Sequence, residues 1–230
     1  METSSSKQEL FEYYNERAPE YEEFYWGRFG AKIPNPSLYE NDTNAISRLL
    51  PAYVSGKCID LACGTGFWLP VYEKGCSQIT LIDQSEEVLT ECLKKIQKLE
   101  IESKTDIICS DLFSHPFKEN EYDSAVVGFL VSHLSEAELK TLFDILKTVL
   151  THNSKFVIID STWNKEMVRM GRRKAGLIER TLSDGRRFNI FKRYFEKKDL
   201  YSMAEKNGIH LEIVYWGNVF FLAVASFSRH

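Results

Sequence analysis

The sequence has no uninterrupted apolar run near the ~18 residues that a membrane-spanning helix needs. Its first residues, METSSSKQEL, show no basic stretch leading into an apolar one, so no secretory leader is expected there. No Cys-x-x-C pair occurs. The five cysteines (Cys58, Cys63, Cys76, Cys92 and Cys109) are odd in number and lie mostly in apolar runs, so buried, reduced thiols in a cytoplasmic setting are the expectation. Neither sign of charge dominates: 29 Lys and Arg against 33 Asp and Glu give −4, which argues against a wholly basic nucleic-acid binder. Internal repeats are absent too. What remains is an ordinary globular composition, 43% hydrophobic and 27% charged over 230 residues, suited to a single α/β domain with accessory segments.

The first part of the chain, Lys7 to Trp26, is acidic and aromatic and reads as one or two covering helices. Gly27, Gly30, Pro34 and Pro36 make a loop of 27–37, followed by a helix from about Leu38 to Leu50. Strands are then expected at Lys57–Leu61, Gln78–Ile82, Thr105–Cys109, Ser124–Gly128 and Phe156–Asp160, with helices at Thr65–Glu73, Glu86–Leu99 and Ser135–Leu150. Ser135 and Glu138 form a capping-box pattern at the start of the last of these. Strands alternating with helices imply a parallel sheet covered on both faces. Beyond it, Ser183-Asp184-Gly185 marks a hairpin between Ile178–Leu182 and Arg186–Tyr194. A helix over Lys198–Lys206 then leads to two strands, Ile209–Trp216 and Asn218–Phe227, which the short turn at Gly217 makes antiparallel.

Three strands end in an acid. In Cys58-Ile59-Asp60-Leu61-Ala62-Cys63-Gly64-Thr65-Gly66 an apolar strand ends at Asp60 and passes into a glycine turn, which lets a ligand approach the backbone closely. A glycine turn alone is a weak signal, open to tight packing or a dinucleotide's pyrophosphate. The second strand ends at Asp83, 23 positions on, where a carboxylate can accept both hydroxyls of a ribose. The third ends at Cys109-Ser110-Asp111-Leu112, placed to meet an adenine amine. Asp60 beside the turn repels phosphate and attracts a cationic ammonium group, which disfavours a dinucleotide.

With these motifs the sequence resembles the class I S-adenosylmethionine-dependent methyltransferases over about residues 38–227, and Asp-Leu-Ala-Cys-Gly-Thr-Gly is similar to their first motif. The resemblance implies a doubly wound, mainly parallel seven-stranded sheet ending in an antiparallel hairpin. It places residues 1–37 as an N-terminal lid and 38–230 as the catalytic domain, with an insertion over about 163–198. It implies S-adenosylmethionine as cofactor: Asp60, Ala62 and Gly64 at its methionine end, Asp83 and Gln84 at the ribose, Asp111 and Leu112 at the adenine, Gly128 and Phe129 beside the methyl group. Tyr13-Tyr14-Asn15-Glu16-Arg17-Ala18-Pro19-Glu20-Tyr21 resembles the entry segment of the small-molecule and quinone methyltransferases, which implies that Tyr14 and Tyr21 close over the cofactor. Aromatic faces there suit a sulfonium by cation–π contact. Packing as plain core is the other reading of that segment.

The chain lacks the Asn/Asp-Pro-Pro-aromatic motif that resembles nucleobase amine methylation, the Asp-Asn pair of catechol methyltransferases and a Pro-Cys dipeptide, so a nucleic-acid target and a metal are not expected. His133 is the candidate base or acceptor-orienting group, or a structural cap for the following helix. Tyr25, Trp163 and Arg172 are candidates for binding the substrate. The segment 163–198 holds twelve cationic side chains against four carboxylates, a net +8 in a chain of −4. An anionic small-molecule acceptor is one reading of it, RNA or protein docking a second, and a solvated hairpin facing the acidic N-terminal segment or a second subunit a third. A non-catalytic cofactor-binding homologue is the reading outside the enzymes, and monomer and homodimer stay open.

Overall fold

The computed structural model describes residues 4–26, 35–169 and 171–227. Most of the 27–37 loop therefore lies outside the described residues, Gly27, Gly30 and Pro34 included. The elements are α1 (Ser4–Arg17), α2 (Tyr21–Tyr25), α3 (Pro36–Leu49), β1 (Gly56–Leu61), α4 (Leu69–Tyr72), β2 (Cys76–Asp83), α5 (Glu86–Leu99), β3 (Thr105–Cys109) and β4 (Tyr122–Gly128). They continue with α6 (Glu136–Val149), β5 (Leu150–Ser161), α7 (Lys165–Arg169), β6 (Ala175–Thr181), β7 (Arg187–Arg193), α8 (Lys197–Lys206), β8 (Ile209–Trp216) and β9 (Phe220–Phe227).

Seven strands form one sheet in the order β3-β2-β1-β4-β5-β9-β8. The first five are mutually parallel, and β9 runs antiparallel between β5 and β8. Alternation along the buried strands sends side chains to both faces. Cys58, Ile79, Val126, Val157 and Leu222 meet Ile46 of α3 and Leu89 and Ile96 of α5 on one side. Ile59, Ile82, Val127, Ile158 and Phe221 meet Leu142 and Leu146 of α6 and Leu200 of α8 on the other. Chain reversal at β1 sends β2 and β4 to opposite sides of it, opening a crevice at the carboxyl ends of the strands.

Local chemistry sets the ends of the elements. Ser135 caps α6 through the reciprocal bonds with Glu138 that the sequence predicts, so His133 does not serve as that cap. Ser85 accepts from Val88 N at the start of α5. The helix expected over Thr65–Glu73 shrinks to α4 and a following 3-10 turn, because Gly64 and Gly66 hold left-handed φ of 56° and 67° and cannot carry α-geometry. β5 begins six residues before the expected Phe156, since its first half is polar and carries no apolar signal. Cys58, Cys63, Cys76 and Cys92 are buried free thiols, whereas Cys109 is exposed on the edge strand β3.

Asp42 of α3 pins the far hairpin: Oδ2 accepts from Val219 N (2.7 Å) and Phe220 N (2.9 Å), and Oδ1 from the Tyr215 hydroxyl (2.8 Å). A Cβ on Gly217 would fall inside that carboxylate. The β6–β7 hairpin stands apart from the main sheet, with α1 packed across it through Tyr13, Leu182 and Ile190. Its outer charges meet acids. Arg186 pairs with Glu16 of α1 at 2.6 Å, Ser183 N donates to Glu20 and Asn189 N to Glu9. The hairpin thus faces the acidic N-terminal segment. Among the described residues no helix is long and apolar enough to cross a membrane.

Candidate active site

A cleft of about 660 Å3 opens over the carboxyl ends of β1, β2, β3 and β4. Tyr14, Tyr21, Ala62, Gly64, Asp83, Gln84, Asp111, Leu112, Gly128, Phe129 and His133 all line it. Asp83 is half-buried on its wall, with Oδ2 accepting from Gly64 N (2.9 Å) and Oδ1 from Ser85 N (3.1 Å). Burial raises its pKa and these backbone donors pull it back down. Each of its oxygens keeps a lone pair for a further donor. Asp111 Oδ1 accepts from Phe113 N at 3.0 Å. Among the described residues the cleft wall carries Asp83, Asp111 and Glu138 and no Lys or Arg.

Asp60 is not on that wall. It is 3% exposed beneath the glycine turn, and the Tyr72 hydroxyl donates to its Oδ2 at 2.8 Å. Burial pushes its carboxyl up to about 7; the Tyr72 bond opposes the shift and Asp83 adds to it. The turn above it is strained at Ala62, whose φ is 55°, and again at Phe129 (φ 58°), which follows Gly128 at the end of β4. Phe129 stacks on Tyr25 with centroids 4.1 Å apart. The lid is tied down over the turn: a Cβ on Gly64 would stand 3.6 Å from the Tyr21 ring, the Thr65 hydroxyl donates to Glu22 (3.1 Å), and Lys95 joins Glu22 to the carbonyls of Thr65 and Gly66.

Behind Tyr14, Phe129 and His133, which line both spaces, lies a narrow cavity of about 20 Å3. Arg17, Arg180 and Lys192 line it together with Tyr25, Tyr39 and Tyr194, and no carboxylate does among the described residues. Arg17 Nη1 donates to the Tyr13 hydroxyl (2.8 Å), and its guanidinium lies 5.3 Å from the Tyr21 ring centroid. Arg180 hydrogen-bonds Tyr194. Lys192 Nζ donates to Ser132 Oγ (2.5 Å) and pairs with the buried Asp160 at 3.2 Å.

His133 is buried between the two spaces, with Nε2 2.9 Å from the Tyr14 hydroxyl and Nδ1 2.7 Å from the Phe191 carbonyl. Burial, then the charges of Lys192, Arg180 and Arg17, hold its pKa well below the ordinary value, with the Phe191 carbonyl pulling the other way. Tyr25 lines the cavity. Trp163 and Arg172 do not: Trp163 packs against Tyr194 (6.1 Å) and Arg172 hydrogen-bonds Tyr39, so each touches a wall residue from behind.

Arg17, Arg180 and Lys192 are absent from the sequence-based candidates. For Arg180 and Lys192 the signal is phase: Arg180 shares a strand face with Ile178 and Leu182, and Lys192 with Ile190 and Tyr194, so both cations occupy inward positions of the hairpin.

Residues 59–158 match the family model described as "Methyltransferase domain". A curated relative, phosphatidylethanolamine N-methyltransferase of Cereibacter sphaeroides, is 30% identical over 83 residues, which are 36% of this chain and 40% of that protein's length. The solved structure described as "DhpI-SAM-HEP complex" superposes with a TM-score of 0.77 at 19% identity, covering 98% of this chain and 100% of the other. An S-adenosylmethionine-dependent methyltransferase from Clostridium acetobutylicum superposes at 0.64 and 14% identity, covering 94% and 99%. At these identities the structural likeness is one of fold. Strand order, glycine turn and strand-end acids around the matched residues 59–158 give this chain a methyltransferase domain with the fold of the class I S-adenosylmethionine-dependent methyltransferases.

Proposed function

We propose that this chain transfers a methyl group from S-adenosylmethionine to a small anionic acceptor. One observation carries the reading: two adjoining spaces have opposite charge, the cleft lined by three carboxylates without Lys or Arg, the cavity by three cations without a carboxylate, among the described residues. The donor set of the cleft fits the cofactor, since carboxylates accept from ribose hydroxyls and attract ammonium and sulfonium groups, and a pyrophosphate has no cation there to meet.

In this reading Asp83 and Gln84 hold the ribose, Asp111 and Leu112 border the adenine, and Gly64 lets the ligand close on the backbone. Tyr14 and Tyr21 offer ring faces to positive charge. When bound, S-adenosylmethionine supplies a methyl carbon already activated by its sulfonium. The chain's remaining work is to orient the acceptor in line and keep water out. Arg17, Arg180 and Lys192 hold the anion, and α1 with the hairpin closes the space. At about 20 Å3 the cavity takes little more than water as it stands, so acceptor entry requires α1 or the hairpin to shift. Lys174, Arg186 and Arg193 of the insertion are engaged by Glu16, Asp184, Glu136, Glu196 and Asp199, which favours a small acceptor over a macromolecule docked on that surface.

The test is release of S-adenosylhomocysteine with a panel of small carboxylates and phosphates set beside their uncharged amides and esters. Turnover with a charged acceptor and none with its neutral partner is expected. Turnover with RNA or a protein, falling steeply with salt, would overturn the small acceptor.

A further inference from the structure

The cleft and the cavity meet at Tyr14 and His133, and the hydrogen bonds there run one way. The Phe191 carbonyl can only accept, so His133 Nδ1 carries the ring proton. Nε2 is then a lone pair, and the Tyr14 hydroxyl donates to it at 2.9 Å. With its proton so committed, the Tyr14 oxygen presents only lone pairs to the cavity it lines. Whatever hydrogen-bonds to that oxygen must bring a proton of its own.

Charge around the pair comes from every neighbouring element: Arg17 of α1, Arg180 of β6 and Lys192 of β7 on the cavity side, and Glu138 of α6 on the cleft side. Tyr25 of α2 adds a neutral phenol, and Asp160 of β5 balances Lys192 alone. Three cations and burial set the ring against taking a second proton. Burial likewise keeps the Tyr14 phenol protonated at rest.

Resting on the reading of the cavity as an anion site, we propose that the acceptor carries two groups. An anion binds Arg17, Arg180 and Lys192, and a separate hydroxyl or amine passes its proton through the Tyr14 phenol to His133, which takes it only once the anion is in place. In that step the acceptor O–H or N–H bond breaks and its proton joins the Tyr14 oxygen, while the phenol's original proton joins Nε2. The acceptor keeps the electron pair that bonds the methyl carbon, the pair of the broken carbon–sulfur bond stays on sulfur, and His133 ends as an imidazolium. The bound anion cancels the field that opposed this charge. Hydroxy and amino acids of the carboxylate or phosphate class meet both requirements; simple alcohols and amines leave the histidine unable to act.

The test needs no turnover and no known acceptor. In the intact protein the His133 imidazole resonances, assigned by comparison with His133→Asn, are followed against pH with and without sulfate as the probe anion. Sulfate is expected to raise the His133 midpoint by about 1 unit or more, the size of effect an opposite charge has within roughly 4–6 Å. Arg180→Gln is expected to abolish the response and Arg180→Lys to retain it, while Tyr14→Phe, which removes a proton carrier and no charge, leaves the sulfate-induced shift in place. If sulfate binds, by calorimetry, and the midpoint stays put, the gating is overturned and the anion site stands. If sulfate does not bind at all, the reading of the cavity falls with it.

Discussion

Replacing Asp60 by asparagine should remove a pH dependence of stability that the wild-type fold carries. Asp60 is 3% exposed, its hydrogen-bond partner is the Tyr72 hydroxyl, and burial lifts its carboxyl from 3.8 to about 7. A carboxyl raised in the folded state binds its proton more tightly there than in the unfolded chain. The stability it confers is therefore complete below pH 3.8 and is lost as pH rises through 7. At about 1.4 kcal/mol per unit, the loss across that window reaches about 4 kcal/mol. Asparagine keeps an oxygen for the Tyr72 donor and cannot ionise, at the cost of a buried amide that is the same at every pH. The slope therefore carries the test, and the offset does not. Urea unfolding of both proteins at intervals from pH 4 to 8.5 should show the variant gaining on the wild type up to about pH 7 and then a constant difference. Parallel stability curves would refute the reasoning, because they would mean that Asp60 ionises in the fold as easily as outside it.

Two further substitutions probe the scaffold of the site. Ala62→Gly relieves a left-handed φ of 55° that costs roughly 1–2 kcal/mol for a residue with a Cβ; after the added freedom of the unfolded chain, about 0.5–1 kcal/mol of stabilisation should appear as a higher thermal midpoint. Gly217→Ala drives a Cβ into the Asp42 carboxylate and should destabilise by about 2–4 kcal/mol in urea. Combined with Asp42→Ala, its cost should be less than additive, because the two residues share one contact.

The parallel sheet, its closing hairpin, Gly64, Asp83 and Asp111 follow from patterns short in sequence, apolar runs that end in an acid, a glycine turn, alternation of strand and helix, and the resemblance to a family adds Tyr14, Tyr21, Ala62, Gln84, Leu112, Gly128 and Phe129, which also line the cleft. Asp60 belongs to the same motif, yet its strand turns it inward against Tyr72, and nothing in a linear pattern separates a strand-end acid that faces the cleft from one just before it that faces the core. The cationic cavity is harder to read because its walls come from α1, α2, α3, the segment after β4, β5, α7, β6, β7 and the start of β9, segments up to about two hundred residues apart. In the sequence the insertion shows only a total charge. Its physical meaning depends on which cations share the inward face of Ile178 and Ile190 and which turn outward to Glu16 and Glu196.

The most direct measurement of the account is calorimetric titration of the protein with S-adenosylmethionine and S-adenosylhomocysteine, with NAD as control and Asp83→Ala beside the wild type. A cleft walled by Asp83, Asp111 and Glu138 should bind the first two and reject NAD, and Asp83→Ala should weaken that binding by a factor of about 10 or more, the loss of a charged hydrogen-bond acceptor worth about 1.5–3 kcal/mol. Binding of NAD, or unchanged affinity in Asp83→Ala, would contradict the assignment of the cleft and the function built on it.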